Sequence, residues 1–226
     1  MGRRWKASFR RKQAPARVPV PHNPCRLYGC YARFVSPILF CILSSMNRLA
    51  GFRGEFLWEL DIATRQTVAM AECLPAEKYD WRPDAKARSC SEVFAHVATG
   101  NFMLLDIIGI PAPEDLYPQV AADGQERFFG LIRRNDELVA CVREKKAVLA
   151  LLKRSLEAVT RSFTQTSEAD LGRPLHFFGE ETTVRRAYLR LLAHTHEHMG
   201  QMIAYLRLNG IAPPWPDWRP DRRPPS

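Results

Sequence analysis

Apolar residues recur at mixed three- and four-residue steps along most of this chain, the spacing that gathers side chains on one face of an α-helix. The first such stretch covers residues 47–74, with Leu49, Phe52, Phe56, Leu57, Leu60, Ala63, Val68 and Met70 in phase. Pro75 and the stretch Lys78-Tyr79-Asp80-Trp81-Arg82-Pro83 break it. A second helix opens at Ser89-Cys90-Ser91-Glu92, where a Ser hydroxyl and a Glu carboxylate can satisfy first-turn N–H groups as a capping box. It carries Val93, His96, Val97, Phe102, Leu105 and Ile108 before Gly109 and Pro111 end it. Residues 111–135 read as a long linking loop with a short helix at 125–133. A third helix is expected over 136–164, with a break near Glu144, and a short loop over 171–179 follows. The fourth runs from Thr182 to Gly210, where Asn209-Gly210 and then Pro213-Pro214 form a helix stop. No stretch alternates apolar and polar residues as a strand would, and there is no internal repeat. The expected fold class is all-α: a four-helix bundle with a long crossover connection.

Composition sharpens this picture at the N-terminus. The 226 residues carry a net charge of +9, which by itself suggests nucleic-acid binding. Yet residues 1–46 hold nine Lys/Arg and no Asp or Glu, so the remaining 24 basic residues meet 24 acidic ones. The body is charge-balanced, and no nucleic-acid partner is expected. Residues 1–46 read as a basic, Pro-dotted extension that cannot bury a core. Its apolar run at 34–43 is about ten residues, short of the ~20 that a membrane helix needs, and lies far along for a secretion signal. No stable membrane insertion is expected. Met46, just before the helical pattern, is an alternative start. The chain thus divides into an extension (1–46), a helical domain (47–215) and a Pro-rich tail (216–226). Cys73, Cys90 and Cys141 stand alone in the body without a CxxC pair, which argues against a disulfide framework and for a cytoplasmic, reducing setting.

The candidate chemistry lies on the fourth helix, in His194-Thr195-His196-Glu197-His198-Met199-Gly200-Gln201. At 100° per residue His194 and His198 leave the same face, together with Ala187, Leu191, Gln201 and Tyr205, whereas His196 points away. Two buried imidazoles one turn apart are costly unless satisfied, either as hydrogen-bonded core histidines or as metal ligands. His96, in the apolar stripe of the second helix, is the third candidate. Three neutral imidazoles from two helices would form a three-histidine site with open coordination positions, as catalytic metal centres have. Glu197 sits about 60° from the His194 direction, at the edge of that face, and reads as a supporting acceptor, an ion-pair partner or a catalytic proton-handling group. Gln201, nearly in line with His194, would line the open side as a cofactor-binding residue or cap a buried polar group.

Ser89, Glu92 and His96, with His194, Glu197, His198, Gly200-Gln201 and then Tyr205-Leu206-Arg207-Leu208-Asn209-Gly210, resemble the DinB/YfiT-like superfamily. Glu55-Phe56-Leu57, Asp80-Trp81-Arg82-Pro83 and Thr182-Thr183-Val184-Arg185 extend the likeness over roughly residues 47–215. The resemblance implies a four-helix bundle, commonly a homodimer, with a metal held by His96, His194 and His198. It also implies a divalent ion, Zn²⁺ first and Ni²⁺, Fe²⁺ or Mn²⁺ as alternatives. The implied activity is thiol S-transfer, with a low-molecular-weight thiol as cosubstrate and an electrophilic small molecule as substrate. Metal-dependent hydrolysis and a non-catalytic metal-binding stress protein are the alternatives.

A competing motif is disfavoured. His194-x-x-Glu197-His198 also fits the H-x-x-E-H of inverted zinc proteases, but the only acidic residues after Glu197 are Asp217 and Asp221 in the tail. His176 and His22 fall in a loop and the extension, and no phosphate loop, nucleotide fingerprint or Ser-His-Asp order is present.

Overall fold

The structure is a computed structural model and describes residues 51–118, 120 and 123–215. The extension, the start of the first helix at 47–50 and the tail lie outside the described residues. Among the described residues six helices and one hairpin follow in order: α1 (Phe52–Cys73), α2 (Cys90–Ile107), α3 (Gly124–Cys141), α4 (Lys145–Gln165), α5 (Glu168–Leu171), β1 (Pro174–Phe177), β2 (Glu180–Thr183) and α6 (Val184–Leu208). A single 3-10 turn, Ala76–Lys78, lies between α1 and α2.

The bundle is the ring α1–α6–α2–α4, in which α1 and α2 each pack on both α4 and α6. Its apolar centre holds the fully buried Leu57, Leu60, Met70, Phe94, Leu152, Leu156 and Phe163. Phe56, Phe163 and Tyr188 join α1, α4 and α6, with ring centroids 4.1 Å apart for Phe56–Phe163 and 4.9 Å for Phe163–Tyr188. Each of these side chains contributes about 1.5–3 kcal/mol by leaving water. Among the described residues no helix is long and apolar enough to cross a membrane.

Helix ends follow the local chemistry read from the sequence. Ser89 caps α2, accepting from Glu92 N–H at 3.3 Å, while Glu92 accepts from Ser89 N–H at 2.8 Å. Gly210, at φ +73°, closes α6: its N–H donates to the Arg207 carbonyl and Ile211 N–H donates to that of Leu206.

Two expectations need correction. The break expected near Glu144 is present, since the chain turns at residues 142–144, but the segment before it, read as a loop with a short helix at 125–133, belongs to one helix, α3. Only Leu131, Asn135 and Leu138 are buried on α3, so its apolar stripe is too thin to stand out among Arg and Glu. It docks on α2, aided by Arg127, whose Nε donates to Asp106 Oδ1 at 2.8 Å. Residues 174–183, read as loop and helix start, form an antiparallel hairpin with Phe177 paired to Glu180. Its four-residue strands hold one buried side chain, so no alternating pattern could reveal them.

Candidate metal centre

The α2–α6 interface carries His96 from one side and His194 and His198 from the other. Ser89 and Glu92 fix where α2 begins, and His96 follows two helical turns in, on the side facing α6. On α6 the one-turn spacing of His194 and His198 aims both rings at α2. One ring nitrogen from each of the three histidines lies within 4.8 Å of the other two. His194 Nε2 and His96 Nε2 are 3.2 Å apart. Ring centroids are separated by 4.7–5.0 Å and the ring planes cross at 67–84°, so edges rather than faces converge.

Each imidazole is half-buried and held neutral. Burial foremost, then the charge of Arg88 and the neighbouring imidazoles, push His96 down to about 3. Burial, His198 and Arg190 bring His194 down to about 4, against an opposing pull from Glu197. His198 is lowered by burial, which outweighs its hydrogen bond with Gln201. At neutral pH all three rings present lone pairs rather than charge.

The surroundings orient those lone pairs. His198 Nδ1–H donates to Gln201 Oε1 at 2.9 Å, which leaves His198 Nε2 as the bare nitrogen. Gln201 Nε2 in turn donates to the Tyr205 hydroxyl at 2.9 Å, and Trp81 stands edge-on to the Tyr205 ring at 5.4 Å. Gln201 therefore sits behind His198, with both ends of its amide engaged. On the opposite helix, Gly100 makes room for His194: a Cβ there would lie 2.7 Å from His194 Cε1. His194 Nδ1 is buried and has no hydrogen-bond partner among the described residues.

These residues fit a divalent ion. Two nitrogens ~2.1 Å from a tetrahedral ion stand about 3.4 Å apart, near the 3.2 Å between the His96 and His194 Nε2 atoms. The donor set is three neutral imidazoles, and no carboxylate or thiolate joins the group among the described residues.

The other candidates lie apart. Glu197 is exposed and chelated by Arg190, with NH1–Oε1 at 2.8 Å and NH2–Oε2 at 2.6 Å; that pairing holds its carboxyl below the usual range. His196 bonds the Leu192 carbonyl through Nδ1 at 3.0 Å and faces Glu59 at 3.4 Å, away from the cluster. His176 pairs with Glu181 on the hairpin at 2.9 Å. Sequence reasoning did not assign the roles of Gly100 and of the Tyr205–Trp81 contact. The signal for Gly100 was present, since a glycine one turn after His96 inside an apolar helix costs helix stability and calls for a packing reason.

The family model described as DinB superfamily matches residues 59–202, a span containing all three histidines. No curated protein matches the sequence. Among solved structures, a DinB-like protein from Bacillus cereus ATCC 10987 aligns with a TM-score of 0.55 at 18% identity, covering 74% of this chain and 97% of its own. The DinB-like protein YjoA from Bacillus subtilis aligns with a TM-score of 0.45 at 18% identity, covering 73% of this chain and 97% of its own. With its family match spanning more than half of its length, the chain belongs to the DinB superfamily.

Proposed function

We propose that this protein is a metal-dependent enzyme in which His96, His194 and His198 hold a divalent ion, Zn²⁺ foremost, and that it transfers a low-molecular-weight thiol to an electrophilic small molecule. The observation that carries this reading is the convergence of three neutral imidazole nitrogens within 4.8 Å, with no fourth protein ligand in the group among the described residues. A closed structural site would use a fourth donor, whereas three leave room for a ligand from solvent. A bound divalent ion would supply Lewis acidity that favours the thiolate over the thiol at neutral pH. The chain's own part is to orient His198 through Gln201, to make space for His194 at Gly100 and to keep the donors unprotonated by burial.

Thiol transfer is favoured over hydrolysis by the state of Glu197. Hydrolysis calls for a general base beside the water, and the candidate carboxylate, Glu197, is tied to Arg190 and made less basic by it. The free thiols of Cys73, Cys90 and Cys141 support a cytoplasmic setting. The homodimer rests on family resemblance, and light scattering of the purified protein tests it.

The decisive experiment measures metal content and thiol-transfer rate side by side. Wild type should carry about one ion per chain and turn over a generic aryl halide with at least one thiol of a panel. His96→Ala, His194→Ala and His198→Ala should each lose metal and turnover together. Full activity in metal-free His198→Ala overturns the enzyme reading. Retained metal without turnover across thiols and esters favours a non-catalytic metal-binding bundle.

A further inference from the structure

Trp81 touches both helices of the candidate metal centre. Its backbone carbonyl accepts from Cys90 N–H at 3.0 Å, and the carbonyl of Tyr79 accepts from Ser91 N–H at 2.8 Å. The connection between α1 and α2 thereby satisfies first-turn donors of the helix that carries His96. Tyr79 is anchored in turn: its ring is buried and its hydroxyl donates to the Ala71 carbonyl of α1 at 2.7 Å. The backbone around residue 81 is therefore fixed to α1 and α2. The half-buried indole of Trp81 meets the Tyr205 ring of α6 edge-on, with centroids 5.4 Å apart and planes at 80°.

Tyr205 is the far end of a relay to His198. Its hydroxyl accepts from Gln201 Nε2 at 2.9 Å, and Gln201 Oε1 accepts from His198 Nδ1–H at 2.9 Å. The two ends of a Gln amide have nearly the same shape and opposite hydrogen-bonding character, so its direction is decided by what each end meets. With the Tyr205 oxygen in place, the amino end is taken there and the carbonyl is left for His198. A displaced Tyr205 ring would let the amide turn over and present N–H to His198 Nδ1. The ring proton would then sit on Nε2, the nitrogen that a metal needs bare. Tyr205 is buried, and its ring partner among the described residues is Trp81.

We propose that Trp81 is a positioning residue: its ring holds Tyr205 and, through Tyr205 and Gln201, keeps the Nδ1–H tautomer of His198 that leaves Nε2 free for the metal. This inference rests on the three-histidine metal reading above and not on the thiol chemistry.

Zinc uptake by wild type, measured by competition with a chromophoric chelator, comes first; no uptake overturns the metal reading and this inference with it. Given uptake, Trp81→Leu should bind about three- to tenfold more weakly, the size of a lost aromatic pair. Trp81→Phe, which keeps a ring edge, should recover most of that loss. In a Gln201→Leu background, Trp81→Leu should cost less than about twofold more, because the relay is already cut. Losses that add in full make Trp81 a residue of general packing and overturn the assignment. Long-range proton–nitrogen correlation spectra of the chelator-treated proteins read the tautomer without metal. His198 should carry its proton on Nδ1 in wild type and show a second, Nε2–H form in Trp81→Leu. The His96 signals should stay in place, because the backbone bond to Cys90 survives the substitution. An unchanged His198 tautomer in Trp81→Leu, or an Nε2–H form in wild type, overturns the inference and leaves the metal reading intact. Trp81→Met, which fills the space without an aromatic edge, takes the same measurements if Trp81→Leu does not fold.

Discussion

Gly100 on α2 and the imidazole of His194 on α6 occupy complementary space: a methyl group at position 100 would stand 2.7 Å from His194 Cε1 and 3.3 Å from Nδ1. The interface thus trades helix propensity for the closeness of one donor to the other two. Gly100→Ala sets two effects against each other. Alanine favours the helix by about 1 kcal/mol, while the displaced ring leaves its place beside His96. Metal affinity should fall about 10- to 100-fold, with the melting temperature of the chelator-treated protein changed far less. Calorimetric titration with Zn²⁺ and thermal melts in chelator check both; unchanged affinity would mean that His194 is not held by this contact.

Gln201 fixes which nitrogen of His198 is bare. Gln201→Leu should leave the fold intact and weaken metal binding about 10- to 100-fold, because the ring loses the acceptor that orients it. Tyr205→Phe, one bond further away, should have a smaller effect in the same direction. Competition with a chromophoric chelator ranks the three proteins, and equal affinities would remove Gln201 from the site.

Glu197 and His196 serve as contrasting controls on the same helix. With its carboxylate exposed and chelated by Arg190, Glu197→Gln should change metal affinity by no more than about two- to threefold. His196→Ala removes a contact with Glu59 on the far side of the helix and should leave metal content unchanged. A loss of turnover in Glu197→Gln at full metal occupancy would assign that carboxylate a direct part in the chemistry.

Acid should act on the start of α2. Burial works against the Glu92 carboxylate, but the Ser89 N–H and the Arg82 and Arg143 guanidinium groups outweigh it and hold its pKa below the ordinary carboxylate value of 4.5. The unfolded chain therefore binds the proton first as pH falls. The stabilisation is fully present above about pH 4.5 and disappears as pH drops through the lower folded value. Glu92→Gln keeps the reach to Ser89 but not the charge. Denaturant midpoints in chelator should show the variant below wild type at pH 7, with the gap closing in acid. A gap independent of pH would show that the charge contributes nothing.

What could be read in advance depended on how local the determinant is. The Ser89–Glu92 cap and the Gly210 stop are written within a few neighbouring residues, and the structure has both. The common face of His194 and His198, and the turning away of His196, follow from helical phase alone. The break near Glu144 was legible too, whereas the thin Leu131–Asn135–Leu138 stripe carries little local signal, because α3 gains its place through α2. The hairpin is set by its turn, where Phe178 takes a φ of +49° beside Gly179 at +87°. An aromatic residue there is not the turn chemistry a reader of sequence looks for. That Gly100 faces His194 depends on how two helices 98 positions apart in the chain approach each other.

That separation has a consequence in time. During synthesis at ~5–20 residues per second, His96 leaves the ribosome about 5–20 s before His194, since 98 positions lie between them. For that interval α2 holds a single imidazole, with the Gly100 hollow empty and its apolar face waiting for α6. A chain cut short anywhere before position 194 has one donor of three and no pair to chelate with. Completion of the polypeptide and assembly of the three-histidine group are therefore the same event. A ribosome-bound series of increasing length should take up metal abruptly, once the last turns of α6 have emerged.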